Sequence, residues 1–118
     1  MSLALFLEKI NANHPVSFDE TIAIIHENYE YQPAEFHNGL KDELLVNKAG
    51  TNEGSCKIFA FAQLNQLTQE QTLNLFGDYY QLDVLNNPQG IDHQNIRHFF
   101  HFGWAGISFK SPALHVKQ

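Results

Sequence analysis

The chain has little of what joins a protein to phosphate backbones or carries it across a bilayer. Only 17% of its residues are charged, and its seven Lys and Arg are scattered from Lys9 to Lys117 without forming a cluster. With a formal charge of −6, it has no basic patch to neutralise several phosphates, which argues against nucleic acid and anionic membrane as partners. No apolar run approaches the roughly 20 residues of a membrane-spanning helix. Leu3-Ala4-Leu5-Phe6-Leu7 is interrupted at once by Glu8 and Lys9 and lacks a basic leader, so it does not read as a Sec signal. The single cysteine, Cys56, excludes an internal disulfide and fits a reducing cytoplasm. Walker, Gly-x-Gly-x-x-Gly, Gly-x-Ser-x-Gly, His-Glu-x-x-His and Cys-x-x-Cys patterns are all missing, and no cofactor or metal is implied.

What is present is apolar and aromatic. Hydrophobic residues make up 43% of the 118, with ten Phe among them, enough to bury the core of one domain spanning 1–118. Pro15, Pro33, Pro88 and Pro112 punctuate the chain, and no linker or repeat divides it. Leu3, Phe6, Leu7 and Ile10 share one face of a short helix over 3–13. Ser17-Phe18-Asp19-Glu20 has capping-box spacing, and Phe18, Ile22, Ile25 and Tyr29 follow at helical period. A helix from about Ser55 to Gln66 is apolar on all sides, which belongs in the centre of a domain. Thr68-Gln69-Glu70-Gln71 opens another helix, carrying Leu73, Phe76, Tyr80 and Val84, which Gly77 should kink or split. Asp92 reads as the N-cap of a last helix over 93–102. Leu44-Leu45-Val46 and Ile107-Ser108-Phe109 are two short strand candidates that could pair. The expected class is mainly α within α+β, a compact bundle of about five helices around a central apolar helix, with a small two-stranded β element.

The chemistry-bearing residues gather in two segments. Asn52-Glu53-Gly54-Ser55-Cys56-Lys57 sets Cys56 in the first turn of a helix beside a lysine, where a thiol pKa can be lowered. Gly-Ser-Cys before an apolar helix echoes the nucleophile helix of papain-like proteases. In that scheme His93 is the general base, with Asp92, Asn95 or Glu53 orienting it. Against this, the chain is too short for the second lobe such proteases use, and free cysteine commonly packs as a small hydrophobe. The second segment, Asp92-His93-Gln94-Asn95-Ile96-Arg97, holds the only arginine. A bidentate pair from Arg97 to Glu53 or Asp92 would lock the two segments together. Alternatively, Asn52, Glu53, Lys57, Asn95 and Arg97 line a pocket for a small polar ligand. His98 and His101 lie at i,i+3, but two imidazoles without a third ligand make no metal site, and a solvated helix face accounts for them. Tyr79, Tyr80 and Trp104 read as core or half-buried groups, since no basic residues accompany them as they would a stacking platform.

Asn52 to Ala62, Asp92 to Arg97 and Gly103-Trp104-Ala105-Gly106-Ile107 resemble the HopJ type III effector family. Val16 to Ile22 and Leu75-Phe76-Gly77-x-Tyr79-Tyr80 fit it too, so the resemblance spans roughly residues 16 to 114. It implies a small bacterial protein delivered into host cells, with no assigned activity and no catalytic residues to carry over. The partner it implies is a protein, in the host or the bacterium. A type III export signal is expected to be polar and unstructured, whereas residues 3–13 read as an amphipathic helix. The expectation is therefore a resident cytoplasmic protein that acts without catalysis, by binding a protein partner or a small polar ligand. Its rival is a cysteine-dependent hydrolase or transferase built on Cys56 and His93.

Overall fold

Local sequence signals set most of the helix starts in the computed structural model, which describes residues 1–118. Helix α1 runs Leu3–Asn11 and α2 Phe18–Asn28, the latter held by a complete capping box in which Ser17 accepts from the Glu20 N–H at 3.0 Å and Glu20 from the Ser17 N–H. Strands β1 (Tyr29–Tyr31), β2 (Phe36–Asn38) and β3 (Leu45–Asn47) follow, then α3 (Glu53–Leu64) and α4 (Gln69–Asn74), capped by Thr68 and Gln71 as the spacing predicts. The last elements are α5 (Gln94–Phe102), β4 (Ile107–Phe109) and β5 (Leu114–Val116). The class is α+β.

Three sequence expectations are corrected. Leu45–Asn47 and Ile107–Phe109 are strands of one sheet, but they do not pair. β2 lies between them, antiparallel to both, with Phe36 opposite Asn47 on one side and Phe109 on the other. The polar look of Phe36-His37-Asn38 hides a strand because the buried Asn38 is hydrogen-bonded. A second, two-stranded sheet pairs β1 with β5, with Tyr31 opposite Leu114. Finally, the N-cap of α5 is His93 in left-handed conformation (φ 49°), not Asp92.

The expected break at Gly77 is present. Its φ of +60° ends the α4 region, and the chain re-enters helix as a π-helical turn over Tyr79–Val84. A Cβ there would lie 2.9 Å from the Phe18 N and 3.2 Å from the Val16 carbonyl oxygen, so only glycine lets this turn close against the start of α2.

The rings of α3 organise the core. Phe59 meets Phe36 of β2 at 5.8 Å, Phe76 at 5.6 Å and Phe99 of α5 at 4.9 Å between centroids. Phe61 meets Phe6 of α1 and Tyr29 edge-on. Ile58 through Ala62 are all buried, whereas Glu53, Gln63 and Leu64 at the ends are exposed. No helix is long and apolar enough to cross a membrane.

Candidate functional site

The two polar segments singled out in the sequence meet at the start of α3 and α5. Both helices begin from a left-handed, non-glycine N-cap, Asn52 at φ 50° and His93 at φ 49°, and neither side chain caps its own helix. Each is directed elsewhere. Asn52 Nδ2 donates to Asn47 Oδ1 at 2.7 Å, and His93 Nε2 donates to Asp83 Oδ2 at 3.0 Å. Such backbone costs roughly 1–2 kcal/mol per residue outside glycine, less for Asn, so surrounding bonds must hold it.

A buried asparagine network supplies those bonds for Asn52. Asn95 Oδ1 accepts from Asn38 Nδ2 and from Asn47 Nδ2, each at 3.0 Å. Asn95 Nδ2 donates back to Asn47 Oδ1 at 2.9 Å, and Asn38 Nδ2 also donates to the Asn95 carbonyl at 2.8 Å. One network thus ties β2, β3, the N-cap of α3 and the first turn of α5. Within the network, Asn38 Oδ1 is buried without a partner, as is the Tyr31 hydroxyl elsewhere in the molecule. Sequence reasoning picked out Asn52 and Asn95 but missed Asn38 and Asn47. Their one available signal was an Asn-Gly turn pair at Asn38-Gly39 and an asparagine at a strand end.

The two helix starts border a cleft of about 470 Å³ lined by Asn52, Gly54 and Ser55 from α3 and by His93, Gln94, Asn95 and Ile96 from α5. Phe18, Leu45, Phe76 and Tyr79 complete the lining. The Phe18 ring packs directly over Gly54, 2.9 Å from where an ideal Cβ would lie, so a side chain there would have to displace the ring. Tyr79 departs from the expectation of a core or half-buried ring. The π-helical turn sends Tyr80 and Val84 into the core and leaves Tyr79 43% exposed beside the cleft.

Cys56 faces the other way. It is 1% exposed, its Sγ donates to the Ala34 carbonyl at 3.7 Å, and it is not among the residues lining the cleft. Burial pushes its thiol up from the ordinary value, the reverse of the lowering that a helix start and Lys57 suggested. Tyr31 beside it is raised as well, mainly by burial and further by Glu53 and Cys56. Lys57 is drawn off by His26, donating to its Nε2 at 3.0 Å, and lies 4.6 Å over the Tyr31 ring. Glu53 is exposed on the first turn of α3.

Arg97 does not bind the 52–57 segment. Its guanidinium donates to Asp92 Oδ1 at 2.6 Å, to the Asp92 carbonyl at 2.6 Å and to the Asn87 carbonyl at 2.7 Å. It therefore fastens the 83–92 turn to α5, with Asp92 as its partner rather than Glu53, and holds the Asp92 carboxyl below its ordinary value. The asparagine network performs the locking that the sequence assigned to Arg97. His98 and His101 line a separate cavity of about 270 Å³ with Glu43 and Arg97, and no group of three or more His, Cys, Asp or Glu is placed to hold a metal ion.

An α+β domain with two small sheets and a cleft at paired helix starts is the class defined so far. The chain belongs to the HopJ type III effector protein family, which it matches over residues 3–114, as the sequence resemblance indicated. It is also similar to a protein whose crystal structure is described as that of unknown function protein VPA0580. The two share 47% identity and superpose with a TM-score of 0.92, over 99% of this chain and 95% of that one. Curated proteins give no match.

Proposed function

We propose that this is a non-enzymatic binding domain in which α3 is the central helix and the cleft at the starts of α3 and α5 receives a small polar ligand. The observation that carries this reading is the convergence of both polar segments on one cleft. Asn52, Gly54 and Ser55 come from one segment and His93, Gln94 and Asn95 from the other. A pure locking role would leave these groups paired with one another. Asn52 and Asn95 are consumed in the asparagine network. His93 pairs with Asp83 and the Gln94 amide donates to the Ile91 carbonyl, both partners outside the cleft lining, while the Ser55 hydroxyl has no side-chain partner.

The rival hydrolase draws no such support. Its thiol is bonded to Ala34 beneath the helix, and His93 is turned to Asp83. A nucleophile and base must come within hydrogen-bond reach of each other.

A thermal-shift screen of the full chain against polar metabolites tests the reading. A ligand at 100 times its Kd should stabilise the fold by about 2.7 kcal/mol, raising the unfolding midpoint by several degrees. Ser55→Trp, which fills the cleft from a half-buried position, should abolish that rise without lowering the midpoint of the free protein much. A ligand whose stabilisation survives Ser55→Trp binds elsewhere and would overturn the assignment.

A further inference from the structure

The cleft has an aromatic wall and uncharged polar groups. Phe18 meets Tyr79 edge-on at 5.1 Å between centroids, and Tyr79 lies 5.1 Å from the His93 ring. The polar lining groups are Asn52, Ser55, Gln94, Asn95 and the imidazole of His93, and no Asp, Glu, Lys or Arg side chain lines the space. Its volume of about 470 Å³ falls in the range of small-molecule sites.

These features select a chemical class. A fully charged ligand would shed water there without meeting a fixed counter-charge. A flat ring gains by covering the exposed part of the Tyr79 ring, and amide and hydroxyl side chains read the donors and acceptors at a ring's edge. The first-turn N–H groups of α3 and α5 weight that edge toward acceptors.

We propose that the cleft binds a small, uncharged heteroaromatic ring with an acceptor-bearing edge, of the nucleobase or pyridine-carboxamide kind. This rests on the ligand-binding reading above. The ring stacks on Tyr79, and its carbonyl or ring-nitrogen edge meets Ser55, Asn52 and Gln94.

Titrating the isotopically labelled full chain with nicotinamide, adenosine and uridine, and following amide chemical shifts, tests this. At least one of the three should shift Gly54, Ser55, Gln94 and Asn95 saturably. Tyr79→Ala should weaken that ligand about tenfold or more, the loss expected for a stacked base. Tyr79→Leu, which keeps apolar bulk, should weaken it similarly and guards against a folding defect in the first variant. Benzoate and inorganic phosphate are the counter-probes. Saturable cleft shifts with either of these and none with the three rings would overturn the heteroaromatic assignment while leaving the ligand site in place. Ring binding that is unchanged in both Tyr79 variants overturns the stacking. Silence from all five probes overturns this inference, and a blank thermal-shift screen in addition overturns the binding reading itself.

Discussion

Asn95 lies where the sheet, the 47–52 loop and α5 meet, and its side chain satisfies groups from each. Its Oδ1 takes two N–H donors and its Nδ2 a third partner, in a place where water is excluded. Leaving a buried polar group unsatisfied costs about 1–3 kcal/mol, more than an ordinary hydrogen bond contributes. Asn95→Ala should therefore lower stability by about 2 kcal/mol in urea unfolding, because the Asn47 amide loses both of its bonds to the Asn95 side chain, while Asn38 keeps its bond to the Asn95 carbonyl. It should also broaden or shift the amide resonances of both Asn52, bonded to Asn47 of the network, and His93, two residues before Asn95 at the start of α5. A variant that loses stability without disturbing those two residues would detach the network from the cleft. Cys56 gives an independent check on which side of α3 carries function. With burial raising its thiol, iodoacetamide should react slowly with the native protein up to about pH 9 and rapidly once urea unfolds it. Fast native alkylation with a thiol pKa well below the ordinary 8.5 would restore the nucleophile reading.

At the scale of elements, what the sequence shows depends on how local the determinant is. The capping boxes at Ser17 and Thr68 are complete within four residues, and both were legible. The break at Gly77 was legible for the same reason, though its sequel, a π-helical turn, was not, since that turn depends on Tyr80 and Val84 finding the core. β2 was hidden because Asn38 reads as a turn residue until Asn95, far along the chain, accepts it into the interior. The polar segments of the site were visible as clusters, but their true connection runs through Asn47, which no spacing rule joins to Asn95. Gly77 offers the test at this scale. An alanine there would place its Cβ against the backbone of Val16, Ser17 and Phe18 in a left-handed conformation, where neither strand of the contact can yield like a side chain. Gly77→Ala should cost about 2–3 kcal/mol, from strain plus the displacement of α2. Calorimetry should show a lower midpoint, and Tyr79 should lose its position beside Phe18. A midpoint within a degree of the parent would show that the turn does not need glycine.

The whole molecule carries its titratable groups so that acid weakens it in two stages. His26 is held below the ordinary imidazole value of 6.5, first by burial and then by Lys57 and Lys117, whose Nζ atoms meet its ring nitrogen and its carbonyl. The unfolded chain then takes up this proton more readily than the folded one, so stability declines as pH falls from above 6.5 toward the lowered folded value. Asp92 is depressed by the hydrogen bond from Arg97, and Glu20 by the Ser17 backbone N–H and then by Lys9. Their contribution is full above the ordinary carboxylate values and is lost as pH falls through the depressed ones. Both effects have the same sign, whereas a histidine raised by a carboxylate partner would stabilise on the acid side. The urea midpoint should therefore fall as pH drops through the ordinary imidazole value of about 6.5, level off once His26 is protonated in both states, and fall again below the ordinary carboxylate values of about 4. His26→Gln should remove the first stage and leave the second, because Glu20 is bonded to Ser17 and Lys9 and Asp92 to Arg97, rather than to His26 or its lysine partners. A midpoint that rises between pH 7 and 5.5 would mean that His26 gains a proton more easily in the folded protein, and would require the Lys57 bond to have a different partner.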